Sequence, residues 1–157
     1  MARVKQSIEI AAPLPRVFQY VADYRRALEW MVGFTEFRAL DDRAFGLGAK
    51  VRASGRMVGV RVSTVLEITE FVENDHFVSV SDGPVRSVTT WAFAPTSLGT
   101  RVSFSGEYRV NGLPLPFLGE EILRHEVSAH TSLSLRHLKR ILEAWAAAAG
   151  DQAAGGT

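Results

Sequence analysis

The sequence predicts an α+β protein: a curved seven-stranded antiparallel sheet wrapped around a long C-terminal helix, with a short helical segment after strand 1. Three observations carry this. From Phe34 to Val110 apolar and polar residues alternate with a period of two, broken by turn residues. A period of about 3.6 replaces it twice, briefly after the first strand and again from Pro116 to Ala149. The alternating stretch keeps one face wet, which goes with antiparallel pairing.

Val4 to Ile10 reads as the first strand, with Ile8 and Ile10 on one face and Ser7 and Glu9 on the other. Pro13 and Pro15 follow where a first helical turn accepts proline. Leu14, Val17, Phe18 and Val21 then repeat at i, i+3, i+4 and i+7, so an amphipathic helix runs to about Asp23. Tyr24 to Trp30 adds a helical turn, and Trp30, Met31 and Phe34 form a plug at one end of the core.

Phe34 to Leu40 and Ala49 to Ser54 read as strands, and Gly55 as the turn after them. Met57 to Phe71 reads as one long strand with Val58, Val60, Val62, Leu66 and Ile68 on one face. Arg61, Ser63, Glu67 and Thr69 take the other. Asn74-Asp75 and Asp82-Gly83-Pro84 bound a strand from His76 to Ser81. Val85 to Ala94 and Arg101 to Val110 complete the sheet, and Asn111 to Pro116 leads into the long helix. Glu120 and Glu121 suit its positive N-terminal end, and Gly150 is a natural stop.

A chain of 157 residues with 46% hydrophobic content fits a single domain, taken as 1–150 with 151–157 a disordered tail. A net charge of +1 lacks the basic excess of a nucleic-acid footprint. With no cysteine, disulfides, zinc–thiolate sites and thiol nucleophiles are excluded. No window holds the roughly 18 apolar residues of a membrane span, and Met1 to Ile10 lacks a signal-peptide core, so a cytoplasmic monomer or homodimer is expected. No nucleotide-binding loop, G-x-S-x-G or H-E-x-x-H is present, and neither metal nor cofactor is expected.

The candidate site lies on the long helix. Leu123, Val127, Leu138, Ile141 and Trp145 share one side with Glu126, His130, Ser134 and His137, while Ser128, Ser132, Arg136, Lys139 and Glu143 read as the solvated side. Four polar groups on an inner face suit the roof of a cavity better than a closed core. Glu126 and His130, four apart, form either a proton-transfer couple, a ligand contact or a helix-stabilising pair at the rim. Ser134 either bonds back to its helix or meets ligand. From the sheet, Trp91, Phe93, Phe104 and Tyr108 are the candidate lining, and Tyr108 stands out because a buried phenol needs a hydrogen-bond partner. Arg52, Arg61, Arg86 and Arg101 read as a solvated sheet exterior.

Ile8, Ile10, Ala12, Pro13, Val17, Phe18, Val21 and Asp23, then Trp30, with Gly99-Thr100 before the last strand, resemble the polyketide cyclase/dehydrase-like SRPBCC proteins, whose superfamily includes START domains and birch-pollen-allergen-like proteins. The likeness covers residues 3 to 147. Leu28 and Glu29 stand before Trp30 where many relatives have proline. The resemblance implies the helix-grip fold and a deep apolar cavity between sheet and helix for a lipid, quinone, steroid or polyketide-like ligand. Its matching residues are packing and turn residues, so it assigns no catalytic group. Two function classes follow: a non-catalytic binder, or a cyclase, aromatase or dehydratase working in the same cavity. A protein-partner module is a third.

Overall fold

The computed structural model describes residues 1–43, 45–110 and 119–154. Strand β1 (Ala2–Ile10) is followed by α1 (Leu14–Ala22) and a 3-10 segment (Tyr24–Glu29). Then come β2 (Phe34–Ala39), β3 (Lys50–Met57), β4 (Val60–Val72), β5 (His76–Asp82), β6 (Val85–Pro95), β7 (Thr100–Val110) and the long helix α2 (Glu120–Ala154). The seven strands form one antiparallel sheet in the order β1-β7-β6-β5-β4-β3-β2. This is the helix-grip fold. Bulges at Phe34/Glu36 and Ile68/Glu70 shift the register there, the usual means of bending a strand.

The stretch expected as one strand from Met57 is a hairpin. β3 runs through Gly55 to Met57, and Val58 and Gly59, with φ of 50° and 78°, make a two-residue turn before β4. Such a turn needs positive φ at both positions, so valine is an awkward occupant of the first. Gly55 is a close-approach site instead of a turn. A Cβ there would stand 2.2 Å from the Gly33 carbonyl oxygen.

α1 closes one end of the sheet as expected. Phe18 meets Phe71, Phe77 and Phe93 edge-on at 5.4, 6.2 and 5.1 Å. Thr100, fully buried, donates to the Ala12 carbonyl at 2.8 Å and fixes the corner between β1 and α1. Asp23 starts the 3-10 segment by accepting from the Arg25 amide at 3.0 Å, and the Arg25 guanidinium also binds it. Burial pushes this carboxyl up, but the hydrogen bonds and charge of Arg25 outweigh that and hold it below its ordinary value. A carboxyl lowered by folding stabilises above its unfolded pKa and loses that contribution as pH falls through its folded value. Asp23→Ala should therefore cost about 1 kcal/mol at pH 7, and the gap to wild type should narrow in urea melts taken progressively below pH 4.

α2 departs from expectation at both ends of its phase. Its buried face is Leu123, Val127, Thr131, Ser134, Leu135, Leu138 and Leu142. Ser128, Ser132, Lys139 and Glu143, expected in solvent, face β1: Gln6 Nε2 donates to Ser128 at 3.0 Å, Ser132 donates to Gln6 Oε1 at 2.9 Å and Lys139 to the Glu9 carbonyl at 2.8 Å. Glu143 accepts the Ala11 amide at 2.8 Å. Arg136 is exposed as expected. Trp145 lies outside the core, 40% exposed, with the Arg16 guanidinium 3.2 Å above its ring. The helix also runs past Gly150 to Ala154, and its expected start at Pro116 lies outside the described residues. Among the described residues, no helix is long and apolar enough to cross a membrane.

Candidate functional site

A cavity of about 170 Å³ lies between the middle of the sheet and α2. One end is aromatic. Trp30 is buried and meets Trp91 edge-on at 5.4 Å, and Trp91 lies 4.7 Å from Phe104. Phe37 stacks on Tyr24 at 5.8 Å and tilts against Phe34 at 4.8 Å. Trp30 belongs to the buried core with Met31 packed against it, as expected, and both also line this end of the cavity with Phe34, which is 42% exposed. Val62, Leu66, Met57 and Val85 add aliphatic lining.

The helical roof is Val127, His130, Thr131 and Ser134. Thr131 and Ser134 donate to carbonyls one turn back, Val127 and His130, each at 2.7 Å. Ser134 also accepts the Val32 amide at 2.9 Å, so it ties the helix to the segment before β2. Gly33 (φ 93°) sits under the His130 ring, and a Cβ there would meet Nδ1 at 2.6 Å. Only glycine lets the imidazole approach this closely.

Glu126 sits at the rim, on the side of the β3–β4 hairpin. It does not line the cavity; its Oε2 accepts the Val58 amide at the tip of the β3–β4 hairpin. Its other oxygen is 3.9 Å from His130 Nε2, beyond hydrogen-bonding distance. The carboxylate thus anchors the turn whose first residue is the strained Val58. Glu126→Ala should cost about 1–2 kcal/mol and speed amide exchange at Val58 and Val60, while amides in β6 and β7 keep their protection.

Of the residues singled out in the sequence, Trp91, Phe104, Tyr108, Val127, His130 and Ser134 come together around the cavity. Phe93 and His137 do not. Phe93 belongs to the Phe18 cluster, because β6 passes from the cavity into the α1 end of the core. His137 is half-buried on the flank, one position off the inward stripe that Leu138 occupies.

The Tyr108 hydroxyl has no hydrogen-bond partner among the described residues, and burial pushes its pKa up. Burial also raises Tyr24 to about 12, with the Ser79 hydroxyl opposing. Both phenols therefore stay protonated near neutral pH.

One set of lining residues escaped the sequence reading: Thr64, Ser79, Ser81, Ser87 and Thr89. They form a hydroxyl strip across β4, β5 and β6, with Ser79 paired to Thr89 at 3.1 Å and Ser81 to Ser87 at 2.8 Å. The available signal was Ser-x-Ser in β5 alternating with valines, followed by Ser87-x-Thr89. Arg52 also differs from its expected exterior role, being half-buried with an Nε that has no partner among the described residues.

Residues 1–143 match the model of a family described as polyketide cyclase/dehydrase and lipid transport. The chain belongs to that family. No curated protein matches the sequence. Solved structures give the fold at low identity. A protein from Thermus thermophilus is 20% identical with a TM-score of 0.75, over 91% of this chain and 97% of that one. A START superfamily protein from Mycobacterium smegmatis is 16% identical with a TM-score of 0.67, over 93% and 97%. The di-domain aromatase/cyclase StfQ of the steffimycin biosynthetic pathway is 16% identical with a TM-score of 0.75, over 93% of this chain and 52% of that one.

Proposed function

We propose that this member of the polyketide cyclase/dehydrase and lipid transport family is a non-catalytic binder of a hydrophobic small molecule. The ligand is a lipid, quinone, steroid or polyketide-like compound held between sheet and α2, and the protein acts in the cytoplasm as a monomer or homodimer. The observation that carries this reading is the cavity's chemistry. Its walls are largely aromatic and aliphatic, and the carboxylate nearest His130 on the helix, Glu126, is spent on the Val58 amide. His130 stands over Gly33 with its side chain 34% exposed, without a carboxylate in hydrogen-bonding range among the described residues. An acid–base couple needs its members within reach of each other and of the reacting atoms.

Native mass spectrometry of the purified protein is the direct test. A co-purifying adduct lost on denaturation, or saturable binding of a hydrophobic dye at micromolar concentration, is the expected result. A protein that carries no adduct and binds neither dye nor fatty acid overturns it.

A second reading, a cyclase or aromatase, draws on the Tyr108 hydroxyl inside the cavity, which has no hydrogen-bond partner among the described residues. A protonated phenol there is positioned to donate to a carbonyl oxygen as ring closure builds charge on it. On that reading, Tyr108→Phe slows cyclisation of a poly-β-carbonyl thioester about 100-fold with little change in binding. No cyclisation above background by the wild type removes it and leaves the binder.

A further inference from the structure

The cavity wall built by β5 and β6 is polar where a hydrocarbon-binding wall would be apolar. In β5, Phe77, Ser79 and Ser81 are buried, while Val78 and Val80 take the other face. β6 repeats this: Ser87 and Thr89 line the cavity and Val88 is 46% exposed. A shift of one residue would have turned the valines inward, so the hydroxyls face the cavity because of the register in which β5 and β6 pair, Ser79 opposite Thr89 and Ser81 opposite Ser87.

The direction of the hydrogen bonds fixes what the strip presents. Ser81 donates to the Val85 carbonyl at 2.7 Å, so the 2.8 Å contact between Ser81 and Ser87 takes its proton from Ser87. Thr89 donates toward the Ser79 carbonyl at 3.5 Å, and the Ser79 hydroxyl lies between the Thr89 oxygen, 3.1 Å away, and the Tyr24 phenol, to which it also hydrogen-bonds. The hydroxyl hydrogens of Ser81, Ser87 and Thr89 are thus used within the strip. Each oxygen has two lone pairs, and those of Ser87 and Thr89 not used within the strip are available to the cavity as acceptors. Beside them the Thr64 hydroxyl oxygen is buried without any partner among the described residues, although buried polar atoms are ordinarily satisfied.

We propose that this strip is a recognition subsite for ligand hydroxyl groups, and that the ligand carries hydroxyls on the edge of a ring system rather than an unfunctionalised hydrocarbon tail. This rests on the binding reading above and narrows it. The aromatic end at Trp30, Trp91 and Phe104 takes the ring face, and the edge hydroxyls donate to Ser87 and Thr89.

The test compares two probes of matched size, 2,3-dihydroxynaphthalene and 2,3-dimethylnaphthalene, in displacing a bound anilinonaphthalene sulfonate dye. The diol should bind about 10-fold more tightly or better, the scale of one net hydrogen bond, although the dimethyl compound is the more hydrophobic. Ser87→Ala combined with Thr89→Val should collapse that ratio toward one. Val88→Thr, on the outer face, should leave it intact. Thr89→Val alone keeps the side chain's shape, so a folded variant for the measurement is secure, and it should lower the ratio part of the way. A wild-type ratio of one or less, or a ratio that survives both the single and the double substitution, overturns the subsite while leaving the cavity as a hydrophobic binder. Failure of the dye and both naphthalenes to bind overturns the cavity reading itself, and the subsite with it.

Discussion

Leu138→Ala should lower the unfolding free energy by about 3–4 kcal/mol, the middle of the range for buried leucines. Leu138 is fully inaccessible, and neighbouring Leu142 is 1% exposed, so the missing methyl groups leave a void that rigid strands on one side cannot fill. For a domain of this size that is about 10 °C in melting temperature. Trp145→Ala makes the informative comparison. Its ring is larger, yet it is 40% exposed and held by the Arg16 guanidinium and the edge of Tyr20 at 6.4 Å. Its loss should cost about 1 kcal/mol or less. Equal costs for the two variants, in urea or thermal melts, would show that the inward stripe of α2 runs through Trp145 after all.

That contrast also marks how far the sequence could be read. Period-two alternation and the Leu14/Val17/Phe18/Val21 spacing located β1, α1 and most of the sheet, because each segment buries one face and advertises it. The phase of α2 was harder. A helix lying in a curved sheet touches it over a broad arc, so Ser128, Ser132, Lys139 and Glu143 find partners along β1 that polarity alone assigned to water. Near its middle, the sequence periodicity and the structure agree on Val127, His130 and Ser134 facing the cavity, whereas toward the C-terminal end the periodicity favours Ile141 and Trp145 and the structure buries Leu142.

The β3–β4 turn was missed because Val58 continues the apolar alternation of its neighbours, and only Gly59 hints at a break. The hydroxyl strip was hidden for the opposite reason. Serine and threonine on a strand ordinarily signal the wet face, and the Ser-x-Ser alternation of β5 shows two unlike faces without telling which of them is inside. Longer-range pairing decided it: β5 places Ser79 opposite Thr89 and Ser81 opposite Ser87.

Filling the cavity should abolish binding without unfolding the protein. Thr131 is the position to use: it lies mid-helix on the buried face, lines the cavity, and spends its hydroxyl on its own helix at the Val127 carbonyl. Tryptophan costs the helix about as much as threonine does, and its extra ring atoms project into the 170 Å³ space instead of into packed side chains. Thr131→Trp should therefore weaken dye binding by about 100-fold or more, the loss of roughly 3 kcal/mol of buried contact, and shift the melting temperature little. Leu133→Trp on the same helix is the control, since Leu133 is 41% exposed on the outer side. It should bind dye as the wild type does. If Thr131→Trp folds and still binds with wild-type affinity, the dye does not occupy the space between α2 and the sheet, and the ligand site must be sought elsewhere on the molecule.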